Sequence, residues 1–215
     1  MNEPLSAVYL FDAHDPLLLR NRSSLLSARI GHVMIAYEAF AYALSGCLSG
    51  YKATKTCERY SLAGDYWEAI NPMQVPRIHA AVCQFRKKLY LTGGNTGTSL
   101  DCVHTIETYD TMLDLWTVLD MRLPISVWRH ACAPYQTGIV VFGGSTPEGQ
   151  HNFDCFIIAL GTRRITQMAW LPHAGEFTAT VLVKGQAVYT IESFTGSMLC
   201  VLKEGRWATK CLIQI

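Results

Sequence analysis

The stretch that decides the fold is RIHAAVCQFRKKLYLTGG at residues 77–94, together with TIETYDTMLDLWTVL at residues 105–119. It contains four short runs of β-forming residues, separated by polar or glycine-rich segments. Residues 86–88 indicate a hairpin turn between the first two runs, and residues 110–114 indicate another between the last two. This pattern predicts one four-stranded antiparallel sheet.

The same pattern recurs along the chain. Tyr60 and Trp67 return 49 positions later as Tyr109 and Trp116, and weaker tryptophan matches follow in the later repeats. The weaker matches are Trp170 and Trp207, and the glycine signals that end the second strands are Ser45-Gly46, Gly93-Gly94 and Gly143-Gly144. A period of roughly 48 residues with four strands in each repeat predicts packed propeller blades, because one twisted sheet cannot cover both of its own faces.

Composition supports sheets that are covered on both faces. Half of the residues are hydrophobic (50%), and only 16% are charged. Such a chain is neither disordered nor a coiled coil. Its formal net charge of +1 provides no general attraction for nucleic acid or for an anionic membrane, so we expect neither as a partner.

The N-terminal residues lack the basic segment of a secretory signal, which favours a cytoplasmic protein. The most apolar window, residues 33–48, contains Glu38 and is shorter than the roughly 20 residues of a membrane-spanning helix. Eight cysteines are spread along the chain without a CxxC motif. We therefore expect buried, reduced thiols rather than a disulfide framework or a zinc site.

These residues resemble the kelch-repeat β-propellers, in which a double glycine closes the second strand, a tyrosine lies on the third and a tryptophan on the fourth. Leu160 stands where the third repeat should have its tyrosine, and Ser45 replaces the first glycine of the first pair. The resemblance implies an all-β, kelch-type propeller in a single domain. Its expected parts are a partial blade at 1–23, blades at 24–73, 74–124 and 125–172, and a degenerate blade at 173–215.

Four blades and a partial blade do not form a regular ring. We expect an open arc, an irregularly closed ring or a piece of a longer propeller. In the open forms, the exposed sheet edge would allow self-association.

The candidate partner-binding residues are Arg29, Arg77 and Arg129, each of which is closely followed by a histidine. Kelch adaptors place arginines at the mouth of the central channel to bind acidic peptides, and the alternative is that these arginines brace loops through backbone carbonyls. The histidines, His32, His79 and His130, are expected to be hydrogen-bonded at inner strands rather than to bind metal. The tryptophans, Trp67, Trp116, Trp170 and Trp207, are expected to pack between blades.

The sequence therefore favours a non-enzymatic protein-interaction module with no cofactor and no metal. Family resemblance allows ubiquitin-ligase adaptors, cytoskeletal binders and signalling scaffolds. Because the chain starts at Met1 within a blade, an upstream oligomerisation domain is not expected, and a free-standing scaffold or cytoskeletal subunit is favoured. The alternative is a metal-dependent or sugar-processing enzyme that uses the axial channel, as in galactose-oxidase-like propellers, although no nucleophile or phosphate-binding motif is present.

Overall fold

A computed structural model describes residues 4–12, 15–48, 52–97, 101–171, 179–183, 186–193, 196–203 and 206–213. These residues form eighteen β-strands and no helix. In particular, these ranges contain no helix with the length and apolar character needed to cross a membrane.

The strands form four four-stranded antiparallel sheets and one hairpin, and strands that are consecutive in the chain are neighbours in each sheet. The N-terminal hairpin consists of β1 (Val8–Asp12) and β2 (Asp15–Arg22). The first sheet contains β3 (Val33–Tyr37), β4 (Phe40–Leu44), β5 (Cys57–Ser61) and β6 (Tyr66–Ile70). The second contains β7 (Ala81–Phe85), β8 (Lys88–Thr92), β9 (Thr105–Asp110) and β10 (Leu115–Arg122).

The third sheet contains β11 (Ala131–Tyr135), β12 (Gly138–Phe142), β13 (Cys155–Ala159) and β14 (Arg164–Gln167). The fourth contains β15 (Ala179–Val183), β16 (Gln186–Ser193), β17 (Gly196–Lys203) and β18 (Arg206–Ile213). The predicted all-β architecture of four four-stranded units and an N-terminal partial unit is confirmed.

Two-residue hairpins join the first and second strands of the first three sheets. The residue that opens each turn has a positive φ of 56°, 54° or 47°, at Glu38, Arg86 and Gln136 respectively. Turns with this conformation match the right-handed twist of the flanking strands. None of the three opening residues is glycine.

The hydrophobic core lies between successive sheets. Tyr42 of the first sheet contacts Tyr109 of the second edge-to-face, with ring centroids 6.0 Å apart. Ile106 of the second sheet and Val141 of the third lie in one buried cluster. Phe142 of the third sheet meets Trp207 of the fourth at 4.9 Å. Each sheet thus covers a face of its neighbour, which accounts for the low charge content of the chain.

The first strands of successive sheets lie side by side. Strand β7 contacts both β3 and β11, and β11 also contacts β15. Just before these strands, His79 N donates to Gly31 O and Arg129 N donates to His79 O, both at 2.8 Å. A chain of backbone hydrogen bonds therefore links three sheets along their inner side.

The loop that joins the second and third strands of a sheet lies against the linker that leads to the next sheet. Met73 N donates to Lys55 O at 3.0 Å, Leu123 N to His104 O at 2.8 Å, and Leu171 N to Phe153 O at 2.9 Å. We call this surface, formed by loops 45–56, 93–104 and 143–154 and the linker residues against them, the loop end. A backbone hydrogen bond therefore fixes each of these loops to the linker beside it.

Candidate partner-binding site

A buried ion pair holds the loop end of the second sheet together. Arg77 Nη1 donates to Gly93 O at 3.0 Å and to Thr105 O at 3.1 Å, and Nη2 contacts Glu107 Oε1 at 2.5 Å. The side chains of Arg77 and Glu107 have no exposed surface. Such a pair is tolerated inside a protein only because further hydrogen bonds satisfy both groups.

The carboxylate of Glu107 completes this arrangement by fixing the linker that leads into the sheet. It accepts hydrogen bonds from Gln74 N at 2.7 Å and from Val75 N at 3.1 Å. The pair therefore joins the linker, the glycine turn and the start of the third strand through charge-assisted bonds.

The first sheet repeats the device with Arg29 and Glu58. Arg29 Nη1 donates to Ser45 O at 2.8 Å and Nη2 contacts Glu58 Oε1. Glu58 accepts from Leu26 N and Ser27 N at 2.7 and 3.1 Å. The bracing interpretation thus describes Arg29 and Arg77, and a partner could reach their buried guanidinium groups only by displacing the loops.

Arg129 occupies a different position in its repeat. Trp128 bridges Ser145 in the way that Ile78 bridges Asn95, so Val127 stands at the place of Arg77 and Arg129 at the place of His79. The alignment of Arg129 with Arg29 and Arg77 is therefore wrong. Arg129 is half-buried, and its Cζ lies 4.6 Å from the centre of the Trp128 ring. Partner contact by Arg129 stays a prediction.

The tyrosine and tryptophan of the repeat form a second set of contacts that holds each sheet to the chain before it. Tyr109 and Trp116 lie opposite each other with ring centroids 4.9 Å apart, and Trp116 Nε1 donates to Asn71 O at 2.9 Å. In the first sheet, Tyr60 and Trp67 lie 5.1 Å apart and Trp67 Nε1 donates to Ser23 O at 2.8 Å. Each indole thus anchors the chain that precedes its own sheet.

The third sheet does not use a tryptophan at this position. Ile158 pairs with Ile165 where Tyr109 pairs with Trp116, so neither Leu160 nor Trp170 occupies the position that the sequence alignment gave it. Trp170 lies in the linker after β14 and is 70% exposed. The prediction that Trp170 packs between sheets is therefore wrong, whereas Trp207 does pack against Phe142.

An exposed aromatic surface results at the loop end of the third sheet. Phe153 is 48% exposed and lies beside Trp170, and together they border an open cleft of about 440 Å³. Thr146, His151, Asn152 and Asp154 complete the lining. Sequence reasoning missed this surface because it assigned Trp170 to the core. The absence of a tyrosine-tryptophan spacing in the third repeat was the available signal.

The second glycine of each pair packs too closely for a side chain. A Cβ atom at Gly94, where φ is 92°, would lie 2.6 Å from Ile78 O. Gly46 and Gly144 have φ values of 98° and 83°, and a Cβ atom there would lie 2.9 Å from Ile30 O and 2.5 Å from Trp128 O, respectively. The first position is less strict, since Ser45 adopts a φ of 64° there in place of Gly93 and Gly143.

The histidines of the described ranges lie at the loop end or near it. His130 is buried, and its Nε2 is 2.9 Å from Thr92 Oγ1. Burial, with a further contribution from Arg77, lowers the pKa of His130 to about 3. Burial beside Arg29 also lowers the pKa of His32. Within the described ranges, no three histidine, cysteine or acidic side chains are grouped as metal ligands would be.

Buried cysteines pack as small hydrophobic residues. The thiols of Cys57 and Cys155 are buried, and burial raises the pKa of each to about 12. They are therefore protonated at neutral pH and poor nucleophiles.

Four-stranded antiparallel sheets that pack face to face, with Ser-Gly or Gly-Gly after the second strand of the first three, are the blades of a kelch-type propeller. A family model described as Kelch motif matches residues 76–120. Kelch-like protein 38 of Mus musculus is 27% identical over 192 residues, which cover 88% of this chain and 29% of that protein. The chain thus carries a Kelch motif and is similar to Kelch-like proteins along most of its length, as a divergent relative of the kelch-repeat family.

Other relatives match shorter parts. Kelch-like protein 4 of Homo sapiens is 36% identical over 72 residues, 34% of this chain and 9% of that protein. Kelch repeat and BTB domain-containing protein 1 of Cowpox virus is 28% identical over 120 residues, 55% of this chain and 20% of that protein. The chain thus spans less than a third of the length of the relatives that it matches.

Proposed function

We propose that this chain is a non-enzymatic protein-interaction module that binds a protein segment at its loop end. The observation that carries the proposal is the exposed pair Phe153 and Trp170, held on loops that backbone hydrogen bonds fix to the third sheet. Exposed aromatic side chains of this kind supply much of the binding energy in protein interfaces, where tryptophan is strongly enriched.

The rigidity of the loop end supports the proposal. Arg77 and Glu107 join three segments of the second sheet, and Leu171 N holds the linker beside Phe153. Loops that are already ordered lose little conformational entropy when a partner binds, so more of the contact energy appears as affinity.

We assign different roles to the three arginines. Arg29 and Arg77 act indirectly, since their guanidinium groups brace the loops. Arg129 is half-buried on Trp128 and is the arginine that would contact an acidic part of the partner.

The proposed location is the cytoplasm, with a cytoskeletal or signalling protein as the partner. The buried thiols of Cys57, Cys83, Cys132 and Cys155 support a reducing compartment, since cysteines in such a compartment remain unpaired.

Proximity labelling in the native cell would test the function. The chain is fused to a biotin ligase, and the wild type is compared with Trp170→Ala and with Leu113→Ala. Leu113 is a matched control because it is also 70% exposed but lies on the hairpin that follows β9, at the far end of that strand from the loop end.

We expect Trp170→Ala to lose a set of partners that Leu113→Ala retains. A purified partner from that set should bind the wild type at least about tenfold more tightly than Trp170→Ala by calorimetry, as expected for loss of an interface hot spot. Equal labelling by the two variants would contradict a partner site at the loop end. Arg129→Ala, measured with the same partner, tests the contribution of that guanidinium.

A further inference from the structure

A serine and a histidine form a hydrogen-bonded pair at the loop end of the second sheet. Ser126 Oγ lies 2.5 Å from His104 Nε2, and His104 Nδ1 lies 3.1 Å from Leu123 O. His104 belongs to the loop before β9, and Ser126 belongs to the linker before β11. The backbone bond from Leu123 N to His104 O, 2.8 Å, holds these two segments together.

The carbonyl group of Leu123 determines the tautomer of the imidazole of His104. A carbonyl oxygen can only accept, so the proton of the neutral ring resides on Nδ1. Nε2 then has a free lone pair and accepts from the hydroxyl of Ser126. This is the arrangement of an activated nucleophile: a hydroxyl, a base within hydrogen-bonding distance, and a third group that orients the base.

The pair is not required by the fold. In the first sheet, the backbone bond from Met73 N to Lys55 O corresponds to the one from Leu123 to His104. The residues at the matching positions are therefore Lys55 and Pro76, which cannot form such a pair. In the third sheet, Phe153 holds the place of His104. The serine and histidine thus add a chemical feature to a backbone that forms without them.

Reagents can reach the pair. Both His104 and Ser126 are half-buried rather than enclosed, in contrast to His130 on the same side of the sheet. The hydroxyl of Ser126 and the imidazole of His104 thus lie at the partly exposed surface and not in the core.

We propose that Ser126 is an activated nucleophile that accepts an acyl group from activated esters or thioesters. In the step, Ser126 Oγ forms a bond to the acyl carbon and the bond between that carbon and its leaving group breaks. The proton of Ser126 passes to His104 Nε2 and from there to the leaving group. No oxidant or reductant is needed, and the proposal is independent of partner binding.

A fluorophosphonate probe tests this proposal on the purified chain. The phosphorus atom forms a bond to Ser126 Oγ, fluoride leaves, and the serine proton goes to His104. We expect a single label, located on Ser126 by peptide mass spectrometry. Ser126→Ala should remove the label, and His104→Gln should slow labelling by about 100-fold, the size expected for loss of a general base.

The control copies the first sheet. The double variant His104→Lys with Ser126→Pro places the residues of Lys55 and Pro76 on the matching backbone, so it should keep the thermal stability of the wild type and lose the label. Acetylation by p-nitrophenyl acetate, measured by intact mass, should be fastest in the wild type, slower in His104→Gln and absent in Ser126→Ala. An unlabelled Ser126 in the wild type would overturn the proposal, as would labelling of His104→Gln at the wild-type rate.

Discussion

The second and third sheets have the same backbone arrangement but use different ties. In the second sheet, Arg77 and Glu107 form a buried ion pair. In the third, the matching positions carry Val127 and Phe156, which are both buried. There Asn152 Nδ2 donates to Gly143 O at 3.0 Å and to Asp154 O at 3.3 Å, the carbonyls that match those bound by Arg77. The fold therefore needs interactions that hold the linker, the glycine turn and the third strand together, but these interactions need not include an ion pair.

A third residue changes together with these two. Gln74 N donates to Glu107 in the second sheet, and the matching residue of the third sheet is Pro124, which has no N–H group. The third sheet thus lacks both the carboxylate acceptor of Glu107 and the N–H donor of Gln74. Each sheet therefore uses one of two alternative sets of residues at these positions, and the residues of a set change together.

The largest difference between the two sheets is expected for Arg77→Val. It leaves Glu107 buried without its guanidinium partner, so we expect a loss of about 3–5 kcal/mol in the free energy of unfolding, measured with urea. The variant Gln74→Pro, Arg77→Val, Val103→Asn and Glu107→Phe copies the third sheet, since Val103 matches Asn152, and should be more stable than Arg77→Val alone. If the loss in the free energy of unfolding of this variant equals the sum of the losses in its single variants, the residues of the third sheet do not act as a unit.

Gly93→Ser tests the contact between the second and third sheets. A Cβ atom at Gly93 would lie 2.5 Å from His130 Cε1, so the expected cost is about 1–3 kcal/mol. The first sheet has Ser45 at this position, and the second sheet has Ala80 at the place of His130. Adding His130→Ala should therefore recover part of the loss in a thermal melt. Its failure to do so would mean that the carbonyl of Val127, 2.6 Å away, sets the limit.

The acid sensitivity of the third sheet should depend on His130. Burial and Arg77 lower its pKa to about 3 in the folded chain, whereas an unfolded histidine has a pKa of about 6.5. The unfolded state thus binds the proton first, and the contribution is complete above pH 6.5 and falls as the pH drops towards 3. We expect up to about 1.4 kcal/mol of stability to be lost per pH unit in this window.

His130→Ala, which copies Ala80 of the second sheet, should flatten this dependence. The measurement is the urea midpoint at pH 7.5 and pH 5.5 in both proteins. A wild type and variant with parallel pH profiles would show that His130 is not the residue that titrates.

The smallest effect is expected for the tryptophans. Trp116→Phe keeps a ring against Tyr109 but removes the hydrogen bond to Asn71 O, so we expect a loss of about 1 kcal/mol. Trp170→Phe, at an exposed site, should change stability by less than about 0.5 kcal/mol. Equal losses in the two variants would contradict the register that places Ile165, rather than Trp170, opposite Ile158.

Sequence reasoning predicted the sheets and their number because turn residues and glycine pairs have few alternatives. A φ near +90° beside a carbonyl oxygen excludes side chains at Gly94 and Gly144, so these positions keep their identity and reveal the repeat. Tyr109 and Trp116 were similarly visible because a large aromatic pair and a hydrogen bond depend on both side chains.

The third sheet was misaligned because apolar residues replace the arginine, glutamate, tyrosine and tryptophan of the repeat. Val127, Phe156, Ile158 and Ile165 resemble any other core residues, so no pattern marks them. The spacing between arginine and histidine gave a warning, since it shrinks from three positions at Arg29 and His32 to one at Arg129 and His130. Arg29 and Arg77 were visible as a pair, but their glutamate partners, Glu58 and Glu107, were not, because they lie about 30 residues further along the chain.

The hydrogen bonds along the inner side of the sheets bear on how such a chain can evolve. Arg129 N, His79 N and the carbonyls that accept from them are backbone groups, whereas each ion pair lies wholly within one sheet and its own linker. A unit duplicated in the gene would therefore bring its own ion pair and could repeat the backbone bonds to its neighbours, whereas its faces would still have to fit the apolar side chains of the adjacent sheets. A change in repeat number then needs matching apolar faces but no new ion pair between adjacent repeats.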